Sequence, residues 1–275
     1  MESLYNKSFY ANQASGSVKS ARIILPVLFN TYKPRSVIDI GCGVGAWLYA
    51  CRELGVSEYL GIDGDYMKSE DLMIEPDKFR AMNLEDLQIE EAKYDLLISV
   101  EVAEHIAQGR VDGYIGTITR LSDVILFSAA IPYQGGTGHV NENWPEYWVS
   151  LFLERGFRVY DFIRPAVWNH PDVDFWYRQN MLVFCSESKR HVFEKQPATG
   201  AGMPLSVVHP EMYLNACHRG RGKIRNDYWT DRQYYIASST AEKESKPKPN
   251  MCYGREFNIL YSDNWLLRLI KTIKK

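Results

Sequence analysis

Ser36–Leu48 reads SVIDIGCGVGAWL. An apolar run, Ser36–Ile40, ends in Gly41, Gly43 and Gly45, and Ala46 opens a segment of helical pattern. Glycines at this spacing permit a tight turn and let backbone approach a ligand that a Cβ would push away. The helix that follows offers unpaired N–H groups and its positive end. With Ala46 the run also fits the dinucleotide fingerprint G-x-G-x-x-A. An acidic residue, Asp63, ends the next apolar run in YLGIDGDY, where a carboxylate accepts hydrogen bonds from ribose hydroxyls.

Working outward, strands are predicted at Ser36–Ile40, Tyr59–Ile62, Phe79–Met82, Asp95–Val100, Val124–Ser128, Phe157–Phe162 and Met181–Cys185. Helical patterns fall at Ala21–Asn30, Ala46–Leu54, Val111–Leu121 and Pro145–Glu154. Such alternation predicts an α/β fold with a mainly parallel sheet covered on both faces. No helical pattern separates the last two strands, which are expected to pair antiparallel across a loop, Arg164–Arg178. From about Ser186 the chain becomes polar and rich in turn residues. This predicts a domain over 1–188 and a C-terminal extension over 189–275. The extension holds a basic run, HRGRGKIR, a charged linker, STAEKESKPKPN, and a terminal amphipathic segment, NWLLRLIKTIKK.

The 275 residues carry a net charge of −2, which excludes a strong general pull toward nucleic acid. No apolar run approaches the roughly 20 residues that cross a bilayer. MESLYNKSFYANQ lacks the layout of a signal peptide. The five cysteines form no C-x-x-C pair. These features point to a reducing, cytoplasmic setting.

Asp39 separates two candidate ligands. It precedes Gly41 by two residues, giving D-x-G-x-G-x-G. A carboxylate there suits a ligand with an ammonium and a sulfonium, such as S-adenosylmethionine. It would repel the pyrophosphate of NAD. Asp39 also fits a structural role, bracing the glycine turn.

VIDIGCGVGAWL, GIDGDY, NLEDL, YDLLISVEVAEHI and FSAAIPYQGGTGHVNENWPEYW follow in that order. Over about Phe9 to Cys185 the chain resembles the class I S-adenosylmethionine-dependent methyltransferases. It looks most like a bacterial branch associated with surface-polysaccharide and modified-sugar pathways. The resemblance implies a seven-stranded Rossmann-like sheet whose last strand is antiparallel. It implies that Asp39, Gly41, Cys42 and Gly43 surround the methionine part of the cofactor. Asp63 would hold the ribose, Gly64 would lie close to the adenosine, and Asn83 and Leu84 would lie along the adenine. Many relatives carry Asp at the position of Asn83. Glu101 would face the cofactor pocket. Phe9, Tyr10 and SGSVKSA would serve either as a lid or as ordinary helix capping through Ser17 or Ser20.

Methyl transfer to a hydroxyl needs an aligned acceptor, exclusion of water and removal of a proton. His139 in QGGTGHVNENW and His105 in EVAEHI both follow strands, at the carboxyl edge where open α/β sheets bind ligands. His139 is favoured as general base. His105 is the lesser catalytic candidate, better suited to packing beside the cofactor. Asn141, Glu142 and Asn143 would mould around a polyol, with Trp144 and Trp148 stacking on a sugar ring. Arg178 suits a substrate phosphate or carboxylate and an internal salt bridge equally. Gln179 and Asn180 are placed to satisfy backbone at the strand edge. No metal-ligand spacing is visible, so no metal is expected; His139, Glu142, His170 and Asp174 are the side chains that would gather one.

The expected function is therefore S-adenosylmethionine-dependent O-methylation of a sugar, nucleotide-sugar or glycan. N-methylation of an amino sugar or small molecule, an NAD-dependent oxidoreductase and a non-catalytic module of polysaccharide assembly stand as alternatives. The partner is a small molecule or glycan rather than nucleic acid. The basic run is either a solvated loop or a phosphate contact. The terminal segment is expected to dock on the domain or on a second copy in a homo-oligomer, with peripheral contact to an anionic membrane as its other use.

Overall fold

Seven strands form one sheet in the order β3-β2-β1-β4-β5-β7-β6. They are β1 (Ser36–Ile40), β2 (Glu58–Asp63), β3 (Phe79–Ala81), β4 (Leu96–Val100), β5 (Val124–Ser128), β6 (Phe157–Tyr160) and β7 (Leu182–Ser186). The structure, a computed structural model, describes residues 7–90, 93–196 and 205–220, with side chains from Ser15 to Arg219. β1 pairs in parallel with β2 and β4, β2 with β3, and β4 with β5. β7 runs antiparallel between β5 and β6, the arrangement expected for the last strand.

Alternation along the strands sorts side chains into two cores. Val37, Leu96, Ile98, Val124, Leu126 and Val183 face one way. There they meet α1 (Lys7–Phe29), through Ile24, Leu25 and Leu28, and α2 (Ala46–Glu53), through Trp47, Leu48 and Cys51. Ile38, Leu97, Ile125, Phe127 and Phe184 face the other way. They meet α3 (Val111–Leu121), through Tyr114, Ile115 and Ile118, and α4 (Pro145–Leu153), through Trp148 and Phe152. The central strands β1, β4, β5 and β7 are buried on both faces, which is why these runs read as nearly continuous apolar segments.

Three expectations are corrected. The first helix begins at Lys7 rather than Ala21. SGSVKSA lies inside it: Ser17 bonds the Tyr177 hydroxyl at 3.1 Å, and Ser20 Oγ accepts from the Asp174 backbone. These serines tie the helix to the chain before β7 and cap nothing. Second, Arg164–Arg178 is not an open loop. It carries most of α5 (Ile163–Val167) and the start of α6 (Phe175–Asn180), helices too short to show a period in sequence. Third, Trp148 is buried against Phe127, so it stacks on no sugar.

Beyond β7, α7 (Pro210–Gly220) follows a connection whose Leu205 carbonyl accepts from Arg164 at 2.7 Å. The basic run past Arg219, the charged linker and the terminal amphipathic segment lie outside the described residues, as do the side chains of Phe9 and Tyr10. No helix among the described residues is long and apolar enough to cross a membrane.

Candidate active site

The site follows the carboxyl ends of β1, β2, β4 and β5. At β1 the glycine turn is fixed by two bonds, from Gly41 N–H and Cys42 N–H to the Ile62 carbonyl, at 2.8 and 3.1 Å. Gly41 has φ 82°, and a Cβ there would overlap Val102. Only glycine fits that position.

Two carboxylates sit under this turn in opposite circumstances. Asp63 is fully engaged. Its Oδ2 accepts from Gly43 N–H at 2.6 Å, and its Oδ1 accepts from Gly64 N–H at 2.7 Å and from the Tyr66 hydroxyl. Tyr66 is exposed, and its hydroxyl stands where a ribose hydroxyl would bond the same oxygen. Asp39 is buried with no hydrogen-bond partner on either oxygen. Burial, and next the charge of Asp63, holds its carboxyl well above the usual carboxylate range. The Cys42 thiol beside it is pushed up by burial and by the same two acids. An unpartnered buried carboxylate beside a glycine turn fits a ligand that brings an ammonium group. These residues therefore fit S-adenosylmethionine. Asn83 and Leu84 flank the turn after β3. Asn83 is exposed, and its Oδ1 caps that turn by accepting from Glu85 N–H at 3.0 Å.

At β4 and β5 the second half of the site is assembled. Glu101 adopts φ 55°, in the left-handed region. Its backbone N–H donates to the Ser128 hydroxyl and carbonyl, both at 3.0 Å. Its carboxylate accepts from Gln134 at 2.7 Å and from Asn180 at 3.1 Å. Burial raises its pKa against the pull of those bonds. Gln179 and Asn180 thus do not serve strand-edge backbone through their side chains; with Gln134 they form one buried amide network.

Three residues on, Glu104 has no exposed surface, and neither of its carboxylate oxygens finds a hydrogen bond. Burial and then Glu101 push its pKa well up. The Glu104 carbonyl accepts from Val140 N–H and Asn141 N–H, each at 2.9 Å. This joins the chain after β4 to the glycine-rich loop after β5, and brings His105 and His139 ring to ring at 4.8 Å.

His139 is held on its other side by Glu142. Nδ1 lies 2.9 Å from Glu142 Oε1. A carboxylate only accepts, so Nδ1 carries a hydrogen, and in the neutral ring that leaves the lone pair on Nε2. Glu142 also accepts from Tyr133 N–H at 2.8 Å and Gly135 N–H at 2.6 Å. These bonds give it an organising role in the loop. A Cβ on Gly136 would overlap the His139 ring, so a larger residue there would displace the imidazole. His105 Nδ1 lies 3.2 Å from the Gly138 carbonyl, and burial, then His139, lowers its pKa.

The other expected contacts divide. Asn141 is buried, its Oδ1 accepting from Asn143 at 2.6 Å while its amide nitrogen has no partner. Trp144 is exposed at the start of α4. Arg178 is buried and paired with Glu211 at 2.9 Å, the internal salt bridge of its two alternatives. Arg219 from the basic run donates to the Tyr133 and Gln134 carbonyls at 2.7 and 2.6 Å. His170 and Asp174 do not join His139. Among the described residues the group that brings metal-type donors together is Glu104, His105 and His139. Tyr66, Glu104 and Gln134 were missed by the sequence analysis. Glu104 alone left a signal, as the second acid of E-V-A-E-H at a strand end.

A family model described as a methyltransferase domain matches residues 13–160. No curated protein matches the chain. Among solved structures it is similar to magnesium protoporphyrin IX methyltransferase from Synechocystis PCC 6803 with bound SAH, at 16% identity and TM-score 0.45, over 68% of this chain and 90% of that one. It is similar to a SAM-dependent methyltransferase from Archaeoglobus fulgidus at 18% identity and TM-score 0.45, over 53% and 72%. Likeness to the YcgJ protein of Bacillus subtilis is 14% in identity, TM-score 0.44, over 60% and 97%.

Proposed function

The chain belongs to the methyltransferase-domain family and is an S-adenosylmethionine-dependent methyltransferase, and from that premise we propose that it methylates a hydroxyl of a sugar, nucleotide-sugar or glycan. The oxidoreductase and non-catalytic alternatives fall with that membership.

When bound, the cofactor supplies a methyl group on a sulfonium, open to in-line attack by an acceptor lone pair. Asp39 would balance the ammonium end, and Asp63 would exchange the Tyr66 hydroxyl for a ribose hydroxyl. The Gln134–Asn180 amides hold the Glu101 carboxylate in place at the junction of the two halves. The observation that carries the acceptor reading is the Glu142–His139 bond at 2.9 Å. In the neutral ring it makes Nε2 the acceptor nitrogen, at the edge of a loop rich in N–H and amide groups. His139 Nε2 takes the proton that an acceptor hydroxyl loses as its oxygen gains the methyl. The exposed face of Trp144 at the same loop gives an apolar surface for a sugar ring.

Incubation with nucleotide-sugars and glycan fragments, read by mass spectrometry with location of the added methyl, tests this. Addition to a hydroxyl oxygen is expected. Addition only to nitrogen, or to no polyol while another class of acceptor turns over, would overturn it.

A further inference from the structure

We propose that Glu104, His105 and His139 form a binding site for a divalent first-row cation, with an acceptor hydroxyl completing its coordination. Only the second half rests on the acceptor reading above.

One donor atom from each residue lies within 4.8 Å of the others. His139 Nε2 is 3.9 Å from Glu104 Oε1. With metal–ligand bonds of about 2.0–2.2 Å, neighbouring ligands sit roughly 3 Å apart, so closing the group takes movements of about 1 Å. Glu104 is the independent observation. Its carboxylate is wholly buried, and both oxygens lack a partner. Among the described residues no lysine or arginine pairs with Glu104 or with Glu101 beside it. Such a group stays protonated in the folded chain until something positive meets it, and a cation offers the carboxylate form the partner it lacks.

The histidines are prepared for the same purpose. A ligating imidazole donates its remote N–H to a carboxylate or carbonyl, which fixes the ring and the tautomer. His139 Nδ1 does so to Glu142, and His105 Nδ1 to the Gly138 carbonyl. The bonds from Val140 and Asn141 to the Glu104 carbonyl hold both halves of the donor set together. Two imidazoles and one carboxylate suit Mn²⁺ or Zn²⁺ better than the all-oxygen cages of Ca²⁺ or Mg²⁺. Three protein ligands leave open positions, as in catalytic rather than structural sites. With the cation bound, His139 serves as a ligand. The cation then lowers the pKa of the coordinated hydroxyl, whose proton passes to water. Without it, His139 takes that proton directly.

Titration of the full chain with MnCl₂, following free Mn²⁺ by electron paramagnetic resonance, tests the site without any methyl transfer. One Mn²⁺ per chain is expected, displaced by Zn²⁺. Glu104→Gln and His105→Asn should each weaken binding tenfold or more while calorimetry shows unchanged affinity for S-adenosylmethionine. Glu142→Ala, which removes the remote partner of His139, should weaken it about tenfold. Wild-type protein that leaves Mn²⁺ and Zn²⁺ free at millimolar concentration overturns the proposal. So does wild-type affinity in Glu104→Gln or His105→Asn. Mn²⁺ bound as expected, with no hydroxyl methylated, keeps the site and overturns the acceptor assignment instead.

Discussion

The two halves of the site are built differently. The half after β1 and β2 is local: Asp39, the glycine turn and Asp63 come from neighbouring parallel strands within 25 residues of chain. The half after β4 and β5 is tertiary, drawing on residues 101–105, 133–143 and 179–180. The local half leaves one buried carboxyl, Asp39, without a partner. The tertiary half leaves another, Glu104. Asp63 and Glu142, by contrast, are each surrounded by three donors. Within each half, one acid shapes the backbone and the other is left without a hydrogen-bond partner.

His139→Ala should break that comparison most sharply. Turnover on the true acceptor should fall roughly 100-fold or more, with affinity for S-adenosylmethionine held within a few-fold. Parallel loss of cofactor affinity would mean that the halves are not separable. Asp39→Asn comes next, in the opposite sense. Calorimetry should show roughly 10- to 100-fold weaker cofactor binding, as expected for loss of a hydrogen bond to a charged group.

The same variant should be more stable than wild type without ligand, by about 1–3 kcal/mol at neutral pH. The sign follows from the raised pKa of Asp39. Above the ordinary carboxylate range the folded state keeps a proton that the unfolded state has lost, so wild-type stability declines as pH rises through that interval. The gap in Tm between variant and wild type should therefore widen from acid to mildly alkaline pH. A constant gap would remove Asp39 as its source. The smallest effect is expected from Tyr66→Phe. Removing the hydroxyl that competes for Asp63 should tighten cofactor binding about two- to threefold, an effect worth under 1 kcal/mol. Weaker binding would show that Tyr66 contacts the cofactor rather than standing in for it.

This contrast also explains what was legible beforehand. The strands after Ser36 carried their own apolar runs, and the sheet, its antiparallel last strand and the glycine turn could be read from them. The placement of Asp39 and Asp63 at the glycine turn was legible because it depends on position relative to nearby glycines. Glu142 and Arg178 were not. Whether an acid meets a sugar or three N–H groups of its own loop depends on how residues 133–142 fold back, and no spacing encodes that. Arg178 meets Glu211 across 33 residues. Glu104 was hidden for a related reason: its importance lies in complete burial, which a polar residue in a turn does not advertise.

The carboxylate at 142 has a consequence for how such an enzyme diversifies. One side chain fastens both the backbone at Tyr133 and Gly135 and the imidazole at His139. Rewriting the rim of the acceptor mouth, at Trp144 for example, leaves that clasp intact. Lengthening or shortening residues 136–141 does not, because it would detach the imidazole from its anchor along with the strand. New substrate preferences are therefore most accessible by exchanging rim side chains at fixed loop length.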